Sequence, residues 1–137
     1  MVGAERVVAG VLRSIVHDPG GVSRAQVQGY ADPLRSSEAV RALIDTARQI
    51  VPNDLHMTTR RYKEITVPTL LLWGRGDRVV PLAVGERLAH DMPNARIHVL
   101  ESCGHLPAEE RPDESFAVLA RFLDDTSDDR AEAARRP

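Results

Sequence analysis

Two short apolar runs with a helical segment between them constrain the fold of this chain more than any other feature. The first run, residues 68–74, lies between a proline and a glycine, which is typical of a strand buried on both faces of a parallel sheet. The second, residues 95–100, alternates apolar and polar side chains, as in a shorter strand nearer a sheet edge. Helices are predicted at residues 82–91 and from 113 to about 123.

The resulting order of strand, helix, strand, helix predicts an α/β fold with a right-handed parallel crossover. In such sheets, ligand chemistry occurs outside the carboxyl ends of the strands. The loops that leave these ends contain Asp77 and His105, so one crossover unit brings both residues to the same edge of the sheet. A carboxylate bonded to one imidazole nitrogen leaves the other nitrogen free to take a proton, as in a catalytic triad. Gly76 and Gly104 are expected to allow the sharp turns that aim the two side chains.

A purely structural interpretation of the same pair is also open. Asp77 could cap the following helix, and His105 could be an ordinary hydrogen-bonded residue of its loop. The position of both residues in loops that leave neighbouring strands favours the catalytic interpretation.

The amino-terminal half has a different pattern, with three short helices and no strand signal. An amphipathic helix is expected over residues 1–16, and a second over residues 25–30 with Ser23 as its N-cap. The third is expected over residues 38–50, after Ser36 or Ser37. Its apolar side chains lie at the spacing of one helix face.

Composition excludes several classes of protein. A chain of 137 residues, 42% of them hydrophobic, forms one modest domain. With 18 basic and 20 acidic residues scattered along it, the net charge of −2 gives no basic face for nucleic acid. The single cysteine forms no internal disulfide, and no apolar run has the length of a membrane span. We therefore expect a soluble cytoplasmic protein without a membrane or nucleic-acid partner.

No cofactor or metal site is expected. The Gly74-x-Gly76 pair lacks the third glycine of a dinucleotide fingerprint, and its helix begins too late. Cys103, His105 and Glu109 lie in one short loop, which rarely supplies a metal site alone.

The carboxyl-terminal motifs resemble the end of α/β-hydrolase-fold enzymes. The resemblance covers residues 65 to about 124. It rests on Trp73-Gly74-Arg75-Gly76-Asp77, on Ser102-Cys103-Gly104-His105-Leu106-Pro107, and on the last helix with Phe116, Phe122 and Leu123. In that family the chain order is nucleophile, acid, histidine. The resemblance implies that Asp77 is the acid and His105 the general base.

The resemblance also implies a division of the chain into three parts. Residues 1–63 are similar to the rear of the helical cap that such enzymes insert before the acid-bearing strand. Residues 64–124 correspond to the carboxyl-terminal βαβα portion of the hydrolase core. Residues 125–137, charged and rich in alanine, are expected to form a flexible tail.

Two elements of the family pattern are missing, and the first is the nucleophile elbow, a Gly-x-Ser-x-Gly turn between a strand and a helix. Ser23 stands in a similar sequence, but no strand precedes it and the N-cap role accounts for its position. Cys103 is expected to be a buried loop cysteine, since it lies too close to His105 in sequence for the geometry of a nucleophile and its base. The oxyanion-hole segment is absent too. We therefore expect a fragment that lacks the nucleophile.

The implied function is hydrolysis of a small molecule, with several substrate classes open: esters, epoxides, haloalkanes or carbon–carbon bonds. The Cys103-Gly104-His105 sequence is similar to that of hydrolases of ring-cleavage diketones, although Leu106 follows where those often have tryptophan. The alternatives are a non-catalytic cap or interaction module that docks on another hydrolase segment, and a truncated product without activity. If the chain is part of a hydrolase, or an interaction module, the expected partner is a complementing amino-terminal hydrolase segment.

Overall fold

The computed structural model describes residues 2–50 and 59–133, and the side chains of residues 3–50 and 59–127. The first part of the chain is helical, with α1 at Val2–Ile15, α2 at Arg24–Ala31 and α3 at Ser37–Gln49. Short 3₁₀ turns lie at Pro19–Gly21, Pro33–Arg35 and Arg61–Glu64.

The second part alternates strands and helices. Strand β1 spans Thr69–Gly74, α4 Leu82–Asp91 and β2 Ala95–Leu100; α5 at Pro107–Glu110 and α6 at Pro112–Ala133 follow. The predicted α/β order is confirmed.

The two strands pair in parallel, with Thr69 opposite Ala95 and Gly74 opposite Leu100. This register aligns the carboxyl ends of both strands at one edge. The amide of Arg75 donates to the carbonyl of Leu100 at 3.0 Å, which extends the pairing one residue into the loop. The loops holding Asp77 and His105 therefore begin side by side.

Helix α4 packs closely against the sheet because Gly85 has no side chain. A Cβ at Gly85 would lie 2.7 Å from the Trp73 ring and 3.0 Å from Cδ1 of Ile97. The Trp73 indole N–H donates to the carbonyl of Val80 at 3.0 Å. The same tryptophan thus packs against α4 and holds, through this hydrogen bond, the loop that leads into α4.

Helix α6 packs against both strands of the sheet. The Arg96 guanidinium contacts Asp125 at 3.0 Å and lies 5.7 Å from the centre of the Phe122 ring, a cation–π geometry. Val118 and Ser115 of α6 are buried.

A separate small core joins α1 and α2. It consists of Val8, Leu12, Val27 and Ala31, with partly buried apolar neighbours that include Leu106 of the histidine loop. Ser23 caps α2 as predicted, since its hydroxyl accepts from the amide of Gln26 at 3.1 Å. The helical part of the chain therefore packs directly beside the histidine loop.

Three expectations about local structure need correction. Most of β1 is half-buried rather than buried on both faces, because β2 is the only strand that pairs with it among the described residues. The loop after β2 contains the short helix α5, and α6 continues past Leu123 to Ala133. Alanine, glutamate and arginine favour the helical extension. The proposed three-part division stays a prediction.

Several apolar side chains are exposed on helix surfaces. On α6, Phe116, Leu119 and Leu123 lie at helical spacing with 73%, 46% and 53% of their surface exposed. On α3, Leu43 and Ile44 are exposed too. In the described part of the chain, no helix combines the length and the apolar character that a membrane crossing requires.

Candidate active site

Asp77 is held in place by its own loop. Its Oδ1 accepts hydrogen bonds from the amides of Val79 at 2.8 Å and Val80 at 2.9 Å. The loop is anchored in turn by the amide of Gly76, which donates to the carbonyl of Cys103 at 2.8 Å. Asp77 does not cap α4, whose N-cap is Pro81. These bonds leave Oδ2 directed toward the neighbouring loop.

The second oxygen of Asp77 contacts His105. Oδ2 lies 2.9 Å from Nδ1 of the imidazole, and the side chains are 7% and 34% exposed respectively. The predicted juxtaposition of the two residues is therefore present in the fold. An ionised carboxylate only accepts hydrogen bonds, so Nδ1 carries the proton in this pair and Nε2 holds the free lone pair.

The environment of Asp77 favours its ionised form. Burial raises the pKa of this carboxyl, but the hydrogen bonds from His105, Val80 and Val79 outweigh it, and the net pKa lies below the ordinary aspartate value. Asp77 can thus orient the imidazole and stabilise its protonated form near neutral pH.

The two glycines next to the pair lie where other backbone segments approach closely. Arg75 and Gly76 form a turn, as expected, in which the amide of Asp77 donates to the carbonyl of Gly74 at 3.2 Å. Neither Gly76 nor Gly104 has a positive φ; the positive φ of 49° belongs to Ser102. A Cβ at Gly104 would lie 2.5 Å from the Ile15 carbonyl oxygen and 2.7 Å from the His17 amide nitrogen. Glycine is required there because the end of α1 presses against the histidine loop.

The histidine loop is also held by a carboxylate that sequence reasoning did not identify. Glu110 accepts from the amides of Gly104, at 3.0 and 2.9 Å, and of Leu106, at 3.0 Å. It also accepts from the amide of His17 at 2.7 Å. The available signal was a glutamate in the first helical turn after the histidine loop, where carboxylates often bind backbone amides.

A cavity of about 150 Å³ opens beside the pair. Its walls are mainly apolar and come from Leu72, Trp73, Val80 and Pro107. A larger cavity of about 360 Å³ lies next to the end of α1 and is lined by neither Asp77 nor His105. The smaller cavity is the one that gives access to the imidazole.

The two nucleophile candidates from the sequence have other roles. The hydroxyl of Ser23 is engaged in capping α2. Cys103 is fully buried, as expected, and burial raises the pKa of its thiol to about 11. Across the described side chains, the imidazole of His105 is hydrogen-bonded to Asp77 and to no serine or cysteine. Within the same set, no group of three or more acidic, histidine or cysteine side chains is arranged to hold a metal ion.

Comparison with known proteins agrees with the fold. Residues 3–118 match the model of the alpha/beta hydrolase family. The chain is 32% identical over 112 residues to the uncharacterized hydrolase YugF of Bacillus subtilis, covering 82% of this chain and 40% of that protein. It is 35% identical over 114 residues to a 2-hydroxy-6-oxo-6-phenylhexa-2,4-dienoate hydrolase of Burkholderia cepacia, with the same two coverages.

A solved structure has the same fold. A serine hydrolase involved in carbazole degradation superimposes with a TM-score of 0.75 at 18% identity, covering 88% of this chain and 47% of that one. This chain therefore spans less than half the length of the proteins it matches. The match of the family model over most of the sequence, together with this fold, shows that the chain belongs to the alpha/beta hydrolase family.

Proposed function

We propose that Asp77 and His105 are the acid and the general base of a hydrolase site that acts on a small molecule. The observation that carries the proposal is the 2.9 Å contact between Oδ2 and Nδ1, with Oδ1 fixed by two amides. In this arrangement Nε2 takes a proton from an attacking hydroxyl or water and returns it to the leaving group.

The nucleophile is proposed to come from an amino-terminal hydrolase segment that complements this chain. The described side chains, those of residues 3–50 and 59–127, offer His105 no nucleophile partner, and the matched relatives are more than twice as long as the matching region. The exposed apolar stripe of α6, at Phe116, Leu119 and Leu123, and the edge of β1 that no strand of the described residues covers offer surfaces on which such a segment would pack.

For the substrate, we propose a 2-hydroxy-6-oxodienoate, in which water cleaves a carbon–carbon bond. Support comes from the names of relatives, including a 2-hydroxy-6-oxononadienedioate hydrolase of Cupriavidus pinatubonensis that is 56% identical over 63 residues, 46% of this chain and 22% of that protein. In this reaction the acyl carbon gains the hydroxyl of water, and the leaving carbon gains a proton, which His105 delivers.

The test is a chimera in which this chain replaces the matching segment of the Burkholderia cepacia relative. We expect consumption of the phenyl-substituted dienoate, lost on His105→Ala and reduced by a factor of about 10⁴ on Asp77→Asn. A p-nitrophenyl ester assayed in parallel distinguishes carbon–carbon from ester hydrolysis. A folded chimera whose activity is unaffected by His105→Ala would refute the proposed roles.

The same chimera separates catalysis from a purely structural role. If this chain acts only as an interaction module, the chimera folds and shows no turnover of either substrate. Mixing the free chain with the amino-terminal segment of the relative, and measuring co-elution and activity, tests the docking part separately.

A further inference from the structure

We propose that Glu110 is a positioning residue that sets the orientation of the His105 imidazole. The inference rests on the proposed role of His105 as general base and names a residue that supports that role. Glu110 does not touch the imidazole; it acts through the backbone on either side of it.

The first support is the number of amides that one carboxylate binds. The two oxygens of Glu110 together accept four contacts of 3.0 Å or less from three backbone N–H groups, those of His17, Gly104 and Leu106. A carboxylate has about four lone-pair sites, so this set satisfies it fully. Hydrogen bonds of this kind, to a charged acceptor, are the strong ones in proteins.

The second support is where these amides lie. Gly104 and Leu106 flank His105, and the amide of His105 itself donates to the carbonyl of Ile15 at 2.9 Å. Three consecutive amides are therefore fixed, two by Glu110 and one by the end of α1. A backbone held on both sides of the histidine leaves the side chain little freedom, and displacements of about 1 Å matter for proton transfer.

The third support is the contrast with the neighbouring residue. The Glu109 carboxylate accepts from side chains of α2, with Tyr30 Oη and Gln26 Nε2 as donors; its contact with the histidine loop is through the backbone, where its amide donates to the Leu106 carbonyl at 2.9 Å. Glu109 is exposed and Glu110 half-buried. Two adjacent carboxylates thus have separate tasks, and Glu109→Gln is a matched control for Glu110→Gln.

The experiment uses the full chain and nuclear magnetic resonance, so it requires no activity. Nitrogen chemical shifts of the imidazole report which ring nitrogen of His105 carries the proton, and amide exchange reports the order of the loop. In the native chain we expect the proton on Nδ1. In Glu110→Gln we expect mixed tautomers, and amide exchange at His105 and Leu106 faster by at least about tenfold.

The control variant distinguishes positioning from general destabilisation. Glu109→Gln is expected to leave the ring shifts and loop exchange at native values, even if both variants lower the melting temperature equally. Native ring shifts in Glu110→Gln, or an equal change in Glu109→Gln, would overturn the inference. If Glu110→Gln does not fold, Glu110→Asp, which keeps the charge on a shorter side chain, is expected to give intermediate exchange rates, and native rates in it would overturn the inference too.

Failure of the proposed function would give a different result from failure of the positioning role. In that case the native chain already lacks the proton on Nδ1, and Asp77→Asn leaves the ring shifts unchanged. A native chain with the expected tautomer and an unresponsive Glu110→Gln variant leaves the proposed function intact and refutes only the positioning role.

Discussion

Gly104 lies so close to Ile15 that a single added carbon would be 2.5 Å from the Ile15 carbonyl oxygen. This contact joins the histidine loop to the end of the first helix. The atoms in contact belong to the backbone on both sides, so they cannot move aside as the end of a flexible side chain would. The glycine therefore determines how the helical part of the chain packs against the strand-end loops.

Gly104→Ala is expected to destabilise the chain by about 3 kcal/mol, since the added methyl meets backbone atoms rather than flexible side chains. Gly10→Ala is the control, because a Cβ at Gly10 meets nothing within 4 Å and alanine favours the interior of α1. That variant should be more stable by about 0.5–1 kcal/mol. Urea unfolding followed by circular dichroism measures both, and equal stability of the two variants would argue against the close contact.

Asp77→Asn is expected to lower stability by about 2 kcal/mol at pH 7, because it removes a charged acceptor from His105, Val79 and Val80. The folded-state pKa of Asp77 is depressed, so its contribution is present above the unfolded value of about 3.9 and is lost as the pH falls through the lower folded value. The difference in unfolding free energy between native chain and variant should therefore shrink below about pH 4. A difference that is constant from pH 7 to pH 3 would contradict the assigned shift.

Cys103 is expected to react very slowly with thiol reagents in the folded chain. With a pKa of about 11, roughly one thiol in a thousand is ionised at pH 8, and the side chain is also fully buried. Labelling with Ellman's reagent should be at least about a hundredfold faster in guanidinium chloride than in buffer. Rapid labelling of the folded chain would show that the thiol is accessible.

Ser23→Ala is expected to cost about 1 kcal/mol of stability through loss of the α2 N-cap. Ser36→Ala, which removes the N-cap of α3, should have a similar cost. In the chimera described above, both variants should keep native turnover per folded molecule. Loss of turnover in Ser23→Ala alone would assign the serine a chemical role.

Features that depend on neighbouring residues were predictable from the sequence. The Ser23 cap, the bounds of α4 and β2, and the strand–helix–strand order follow from capping chemistry and hydrophobic period, which act within a turn or two. The same order, through the rule that parallel strands align their ends, predicted that Asp77 and His105 would meet.

Other features depend on parts of the chain that are distant in sequence. Glu110 binds the amide of His17, and Gly104 packs on Ile15; no local pattern indicates either contact. The half-buried state of β1 likewise reflects which elements pack beside it.

The sequence by itself thus determined the chemical identity of the Asp77 and His105 pair and the order of the elements that carry it. Only the tertiary structure decided how the pair is held. The hydrogen bonds of Asp77 to Val79 and Val80 are local, but Glu110 reaches the amide of His17, and the amide of His105 reaches the carbonyl of Ile15, only once the end of α1 has packed against the histidine loop.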